Sequence, residues 1–158
     1  MIKVLLTDTE VELCEIIGQM RNIKTSQKCA EQIQSNRDPI RISIDGVLSE
    51  YIIAKHKGWF FDLNCDVRKF GADLTTTTGH LIDVKSTRTV GGDMNIRHTH
   101  KNKSYDYYIL VELDEMHNGT IVGIASRAIC ITDENIAKSP YTNEPFYKVP
   151  RSKLKPWQ

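Results

Sequence analysis

Apolar residues in the first third of the chain recur at helical spacing. Val11, Leu13, Cys14, Ile16, Ile17 and Met20 follow Asp8 and Thr9, either of which can cap a helix that begins there. A second, polar helix is expected after Thr25 or Ser26, ending near Asn36 because Asp38-Pro39 disfavours helical backbone. A third opens near Asp45-Gly46 and aligns Val47, Tyr51 and Ala54 along one stripe. Glu50 falls within that stripe, so its carboxylate is not on the polar face.

From Trp59 onward the pattern changes to strands. Val67 to Thr75 and His80 to Ser86 flank a Thr-Thr-Gly turn, and Tyr105 to Leu113 with Thr120 to Ala125 reads as a second hairpin across Asn118-Gly119. Residues 87 to 104, with Gly91-Gly92 and no clear period, read as a loop that is mobile in the free protein. Pro140, Pro145, Pro150 and Pro156 punctuate the end of the chain, which has room for a short strand at Phe146 to Val149. With 158 residues and 40% hydrophobic content the chain supports one good core. The expectation is an α/β single domain, residues 1 to 158, with a mixed central sheet flanked by helices. It divides into an N-terminal helical part at 1 to 37, a core at 46 to 127 and a C-terminal wrap at 128 to 158.

The first hairpin concentrates charge. If Thr77, Thr78 and Gly79 form a three-residue loop with Gly79 in the left-handed region, Asp73 falls opposite Asp83. Lys85, two residues on, shares the face of Asp83, while Ile82 and Val84 point to the core. Two carboxylates opposed at roughly 5 Å repel, and a hard divalent cation with oxygen ligands relieves that repulsion. Such a site polarises a phosphoryl oxygen, activates a bound water and neutralises a leaving oxyanion, and Lys85 is placed to offset charge on the phosphate. Glu50 is expected to complete the ligand shell or to hold a ligand water.

Composition narrows the partners. Lys and Arg number 21 against 20 Asp and Glu, a net charge of +1, so the molecule as a whole does not advertise a polyanionic partner. Its bases are clustered, however: Lys85, Arg88, Arg97, Lys101 and Lys103 face a single acid, Asp93, with His98 and His100 among them, and four more bases follow from Lys148. These suit contacts to DNA phosphates by Arg88, Arg97, His98, His100, Lys101 and Lys103. His98 and His100 have H-x-H spacing but no Cys or His partner at zinc-like distance. The four cysteines form no CxxC pair and read as reduced thiols. Neither a signal peptide nor a stretch of 18 apolar residues is seen, so a soluble protein that stays where it is made is expected, cytoplasmic and with no membrane contact.

The helix GVLSEYIIAKHKGW, then FGADL, LIDVKST and YDYYILVEL, resembles the PD-(D/E)xK nuclease superfamily, in particular its small phage-encoded endonuclease-like members. FYKVPRSKLKPW is similar to the tails of such proteins, so the resemblance spans roughly residues 46 to 155. It implies a restriction-endonuclease-like core whose catalytic residues are Glu50, Asp73, Asp83 and Lys85. It also implies one or two magnesium ions, for which manganese substitutes, held by Asp73, Asp83, Glu50 and the carbonyl of Val84. Ala72 stands where proline is common, and no Gln-x-x-x-Tyr motif follows the third strand, the nearest string being Lys101 to Tyr105; an endonuclease is therefore favoured over an exonuclease. The implied activity is magnesium-dependent hydrolysis of DNA by an intracellular, virus-encoded enzyme in the host cell. The rivals are a junction resolvase, which normally works as a homodimer, and a catalytically idle DNA-binding or virion-associated protein of the same fold.

Overall fold

The structure, a computed structural model, describes residues 1–26, 38–66 and 71–157. Strand β1 (Ile2–Val4) leads into α1 (Asp8–Ser26), and α2 (Pro39–Lys57) packs against it. The cap of α1 is Thr7, one residue before the expected pair. Its backbone N–H donates to Glu10 Oε2 at 2.7 Å while the Glu10 N–H donates to Thr7 Oγ1 at 3.3 Å, which closes a reciprocal capping box. Gly18 lets the helices approach closely, since a Cβ there would stand 2.7 Å from Ile44 Cα.

Asp38-Pro39, expected to mark a helix end, starts a helix. Proline has no N–H to lose at the first helical position, and the Asp38 side chain accepts from the Ile40 N–H at 3.0 Å. Helix α2 therefore begins six residues before the expected Asp45, and Gly58 ends it in the left-handed region at φ 63°. The second polar helix expected before it lies outside the described residues.

The remaining elements are β2 (Leu74–Thr75), β3 (Leu81–Thr87), β4 (Met94–Arg97), β5 (Tyr107–Leu113), β6 (Gly119–Ser126), α3 (Arg127–Cys130), β7 (Ile136–Lys138) and β8 (Pro145–Val149). A five-stranded sheet runs in the order β1-β6-β5-β3-β2, with β3 and β5 parallel and the other neighbours antiparallel. The α/β class and mixed sheet match expectation, but the two long helices cover only one face of it. A second sheet, β4-β8-β7, covers the other.

Strand β5 shows how both faces are filled. Ile109 and Val111 join Ile52, Ile82, Val84 and Ile121 under α2, while Tyr108 and Leu110 join Met94, Ile96, Tyr147 and Val149 on the opposite side. Because β3 and β5 are parallel, the chain between them must cross back over the sheet. The basic stretch makes that crossing, so residues 87 to 104 are not the plain loop expected. They contain β4, paired with β8 and anchored by the fully buried Met94 and Ile96, and a 3-10 turn at His98–Asn102.

Strand β2 is shorter than the expected Val67 to Thr75, of which residues 67–70 lie outside the described residues. Trp59 and Phe61 pack on the helix-side core, whereas Phe60 is exposed. Cys14, Cys65 and Cys130 are free thiols, and no helix among the described residues is long and apolar enough to cross a membrane.

Candidate active site

The hairpin forms as its turn residues require. Thr76 N–H donates to His80 O, Gly79 sits at φ 86°, and Leu74 pairs with Ile82 and Thr75 with Leu81. One step further the ladder breaks. Asp73 N–H donates to Ile82 O at 3.1 Å, and its carboxylate Oδ2 accepts from the Val84 N–H at 2.7 Å. Asp73 thus reaches β3 with a side-chain oxygen in place of a regular backbone pair.

Period two along β3 sends Ile82 and Val84 to the helices and Asp83 and Lys85 to the other face. Asp83 is 3% exposed, with its Oδ2 at 2.5 Å from Lys85 Nζ. Burial pushes its carboxyl pKa up, against the opposing pull of Lys85 and of the Lys103 and Arg97 charges. A cation at this carboxylate would offset that burial.

The far side of the site comes from the crossing segment. His100 Nδ1 lies 3.8 Å from Asp83 Oδ1, and the ring sits beside Tyr105 and Tyr108, with centroids 5.5 and 6.2 Å away. Burial, then the charges of Lys85, Arg97 and Lys103, hold the imidazole down at about 3, so it is neutral at pH 7 and is no ion partner of Asp83. Burial, followed by the Asp83 and Asp73 charges, pushes the Tyr105 phenol up to about 12, and burial with Asp83 raises Tyr108 as well. His100 Nδ1 and the Tyr108 hydroxyl are buried without a hydrogen-bond partner among the described residues. Arg127 braces this wall by donating to the carbonyls of Lys103, at 3.2 Å, and Lys101.

Glu50 is buried as its stripe position implied, but its Oε2 accepts from Arg21 Nη1 at 2.8 Å between α1 and α2. Arg21 also donates to the carbonyls of Asp62 and Asn64. The structure therefore engages Glu50 on the helix side of the sheet, while Asp83 and Lys85 face the second sheet. Among the described residues no group of three or more His, Cys, Asp and Glu is arranged to hold a metal ion. Asp83 and Asp73 carry carboxylate oxygens, the donor type of a magnesium-type ion, which takes one or two carboxylates and fills its shell with water and phosphate oxygens.

The expected DNA contacts separate. Arg88 is a structural residue, forked onto the buried Asp45 with Nη2 to Oδ1 at 2.7 Å and donating to Asp114 O. His100 belongs to the buried wall, and His98 stacks on Tyr147 at 5.3 Å. Arg97 and Lys101 are exposed and Lys103 half-buried, on the segment that covers Asp83. A polar cleft of about 280 Å3 lies further along β3, lined by Thr87, Thr89, Gly91, Gly92, Asp93, Asn95 and Lys148, and does not include Asp83.

Sequence reasoning missed Tyr105, Tyr108, Arg127 and Arg21. The tyrosines sit in an apolar run that reads as core, and nothing near either arginine in sequence marks its partner. Compared with models of protein families and with curated proteins, the chain finds no match in either.

Proposed function

We propose that this chain is a divalent-metal-dependent nuclease that hydrolyses phosphodiester bonds of DNA, as an endonuclease. The observation that carries the reading is the buried Asp83 paired to Lys85 on the central strand, with the charges of Arg97 and Lys103 close enough to favour its ionised form. A buried carboxylate beside a partly exposed ammonium, under a cationic rim, makes a place for a phosphate to be held and attacked.

Asp83 and Asp73 would hold the ion, Asp73 through the carboxylate whose Oδ2 also accepts from the Val84 N–H. The bound ion supplies Lewis-acid polarisation of the phosphate and a more acidic water. Lys85 has a double task. Its ammonium balances Asp83 in the free protein, and with a cation held at that carboxylate it would be available to a phosphate, where it would stabilise charge growing in the transition state. Arg97 and Lys101, exposed on the crossing segment, contact phosphates on either side of the scissile one.

The test is incubation of the purified protein with supercoiled, linear, single-stranded and four-way-junction DNA, in magnesium, manganese, calcium or chelator. Lys85→Ala and Asp83→Asn are expected to lose cleavage by orders of magnitude, since each removes a transition-state interaction. A folded variant that cuts at near wild-type rate would remove the site assignment, and no cutting of any substrate would remove the activity. Preferential cutting of the four-way junction would select the resolvase among nucleases.

A further inference from the structure

Asp83 is divided between two neighbours. Oδ2 meets the Lys85 ammonium at 2.5 Å, and Oδ1 meets His100 Nδ1 at 3.8 Å. The second distance is too long for a hydrogen bond, and Nδ1 has no other partner among the described residues. An ion seated between the two atoms would give Nδ1 the partner it lacks. Two ligand atoms each about 2.1 Å from one cation lie about 3.0 Å apart at a right angle and about 3.4 Å apart in a tetrahedron, so a side-chain movement of about 0.4 to 0.8 Å would seat one between them.

The wall behind His100 is built to hold the ring in place. Lys103 N–H donates to His100 O at 3.0 Å, Arg127 ties down the carbonyls of Lys101 and Lys103, and Tyr105 and Tyr108 flank the imidazole. Glu50, the further carboxylate expected at the metal, is committed to Arg21.

Building on the nuclease reading, we infer that His100 joins Asp83 as a direct ligand of the metal ion, in the place expected of Glu50. We further infer that this nitrogen ligand makes the site select a transition-metal ion, manganese(II) or cobalt(II), over magnesium. Magnesium holds hard oxygen ligands and gains little from imidazole, whereas affinity for a nitrogen-containing site rises from manganese(II) through cobalt(II). Water and phosphate oxygens complete the shell.

Cobalt(II), manganese(II) and magnesium are titrated into the metal-free protein by calorimetry, with the visible d–d absorption of cobalt(II) as a second readout independent of cleavage. The wild type should bind cobalt(II) at least about tenfold more tightly than magnesium, and its spectrum should carry the signature of a nitrogen ligand. Even a second-shell partner is worth about 10- to 100-fold in metal affinity, so His100→Ala should lose at least about tenfold for cobalt(II) while magnesium affinity changes little. His100→Asn, a smaller perturbation of the wall, is measured alongside, with circular dichroism to verify folding of both. Unchanged cobalt(II) affinity and spectrum in a folded variant would overturn the role of His100 and leave the nuclease reading standing. No binding of any of the three ions by the wild type, with or without DNA, would overturn both.

Discussion

The pairing of Arg21 with Glu50 decides whether Glu50 belongs to the chemistry or to the fold, and it can be measured. The two side chains are 15% and 10% exposed and meet at 2.8 Å. Arg21→Met leaves the Glu50 carboxylate without that guanidinium. Breaking a buried ion pair from one side costs about 3 to 5 kcal/mol, and residual exposure places this one at the lower end, about 3 kcal/mol. Glu50→Gln keeps the shape and leaves Arg21 its two carbonyl acceptors, so it should cost about 1 kcal/mol. If the pair accounts for most of the first loss, the double variant should cost about 2 kcal/mol, a coupling of about 2 kcal/mol. Urea denaturation of the four proteins reads these values directly, and Arg21→Met should melt about 6 to 12 °C below wild type for a chain of this size. Cleavage per folded molecule should be nearly unchanged in Glu50→Gln. A coupling below about 0.5 kcal/mol would show that the pair is energetically idle. A Glu50→Gln protein of wild-type stability that no longer cuts would place Glu50 in the active site after all.

Other perturbations follow from the same contacts. Neutralising the exposed Arg97 and Lys101 together should weaken DNA binding equally for all sequences and lower the salt slope by about 1.8, roughly 0.9 per lost phosphate contact; an unchanged slope in fluorescence anisotropy would mean neither touches DNA. Burial would raise the Glu10 carboxyl, but hydrogen bonds from Lys55, the Thr7 backbone, Tyr51 and the Thr7 hydroxyl outweigh it and hold it at about 2 against an ordinary 4.5. Because the folded value is the lower one, this stabilisation is present above about 4.5 and is lost as the pH falls from there toward about 2. Acid titration of the melting temperature should therefore show a smaller fall across that window in Glu10→Gln, and parallel curves would contradict the assignment. Gly18→Ala puts a methyl 2.7 Å from Ile44 Cα, so α1 and α2 must separate at a cost of about 1 to 3 kcal/mol, and a stability equal to wild type in urea would refute the close approach.

What local sequence determined is what short-range geometry controls. The loop of Thr77, Thr78 and Gly79 follows from glycine's access to positive φ. The two-residue period of a strand then puts Asp83 and Lys85 on one face and Ile82 and Val84 on the other. The helical stripe buried Glu50 for a similar reason, and Asp38-Pro39, read only for its effect on the segment before it, caps the start of α2. Tertiary structure decided the rest. Residues 87 to 104 look aperiodic because Met94 and Ile96 are only two buried positions in a four-residue strand, and their partners Tyr147 and Val149 lie some 50 residues away. That pairing turned a presumed DNA loop into the wall that buries His100 against Asp83. Glu50 met Arg21, and Arg88 met Asp45, across 29 and 43 residues of sequence. A charge alone does not say whether it faces water, a phosphate or a counter-charge. Only the packing of distant elements removes the water and supplies the partner.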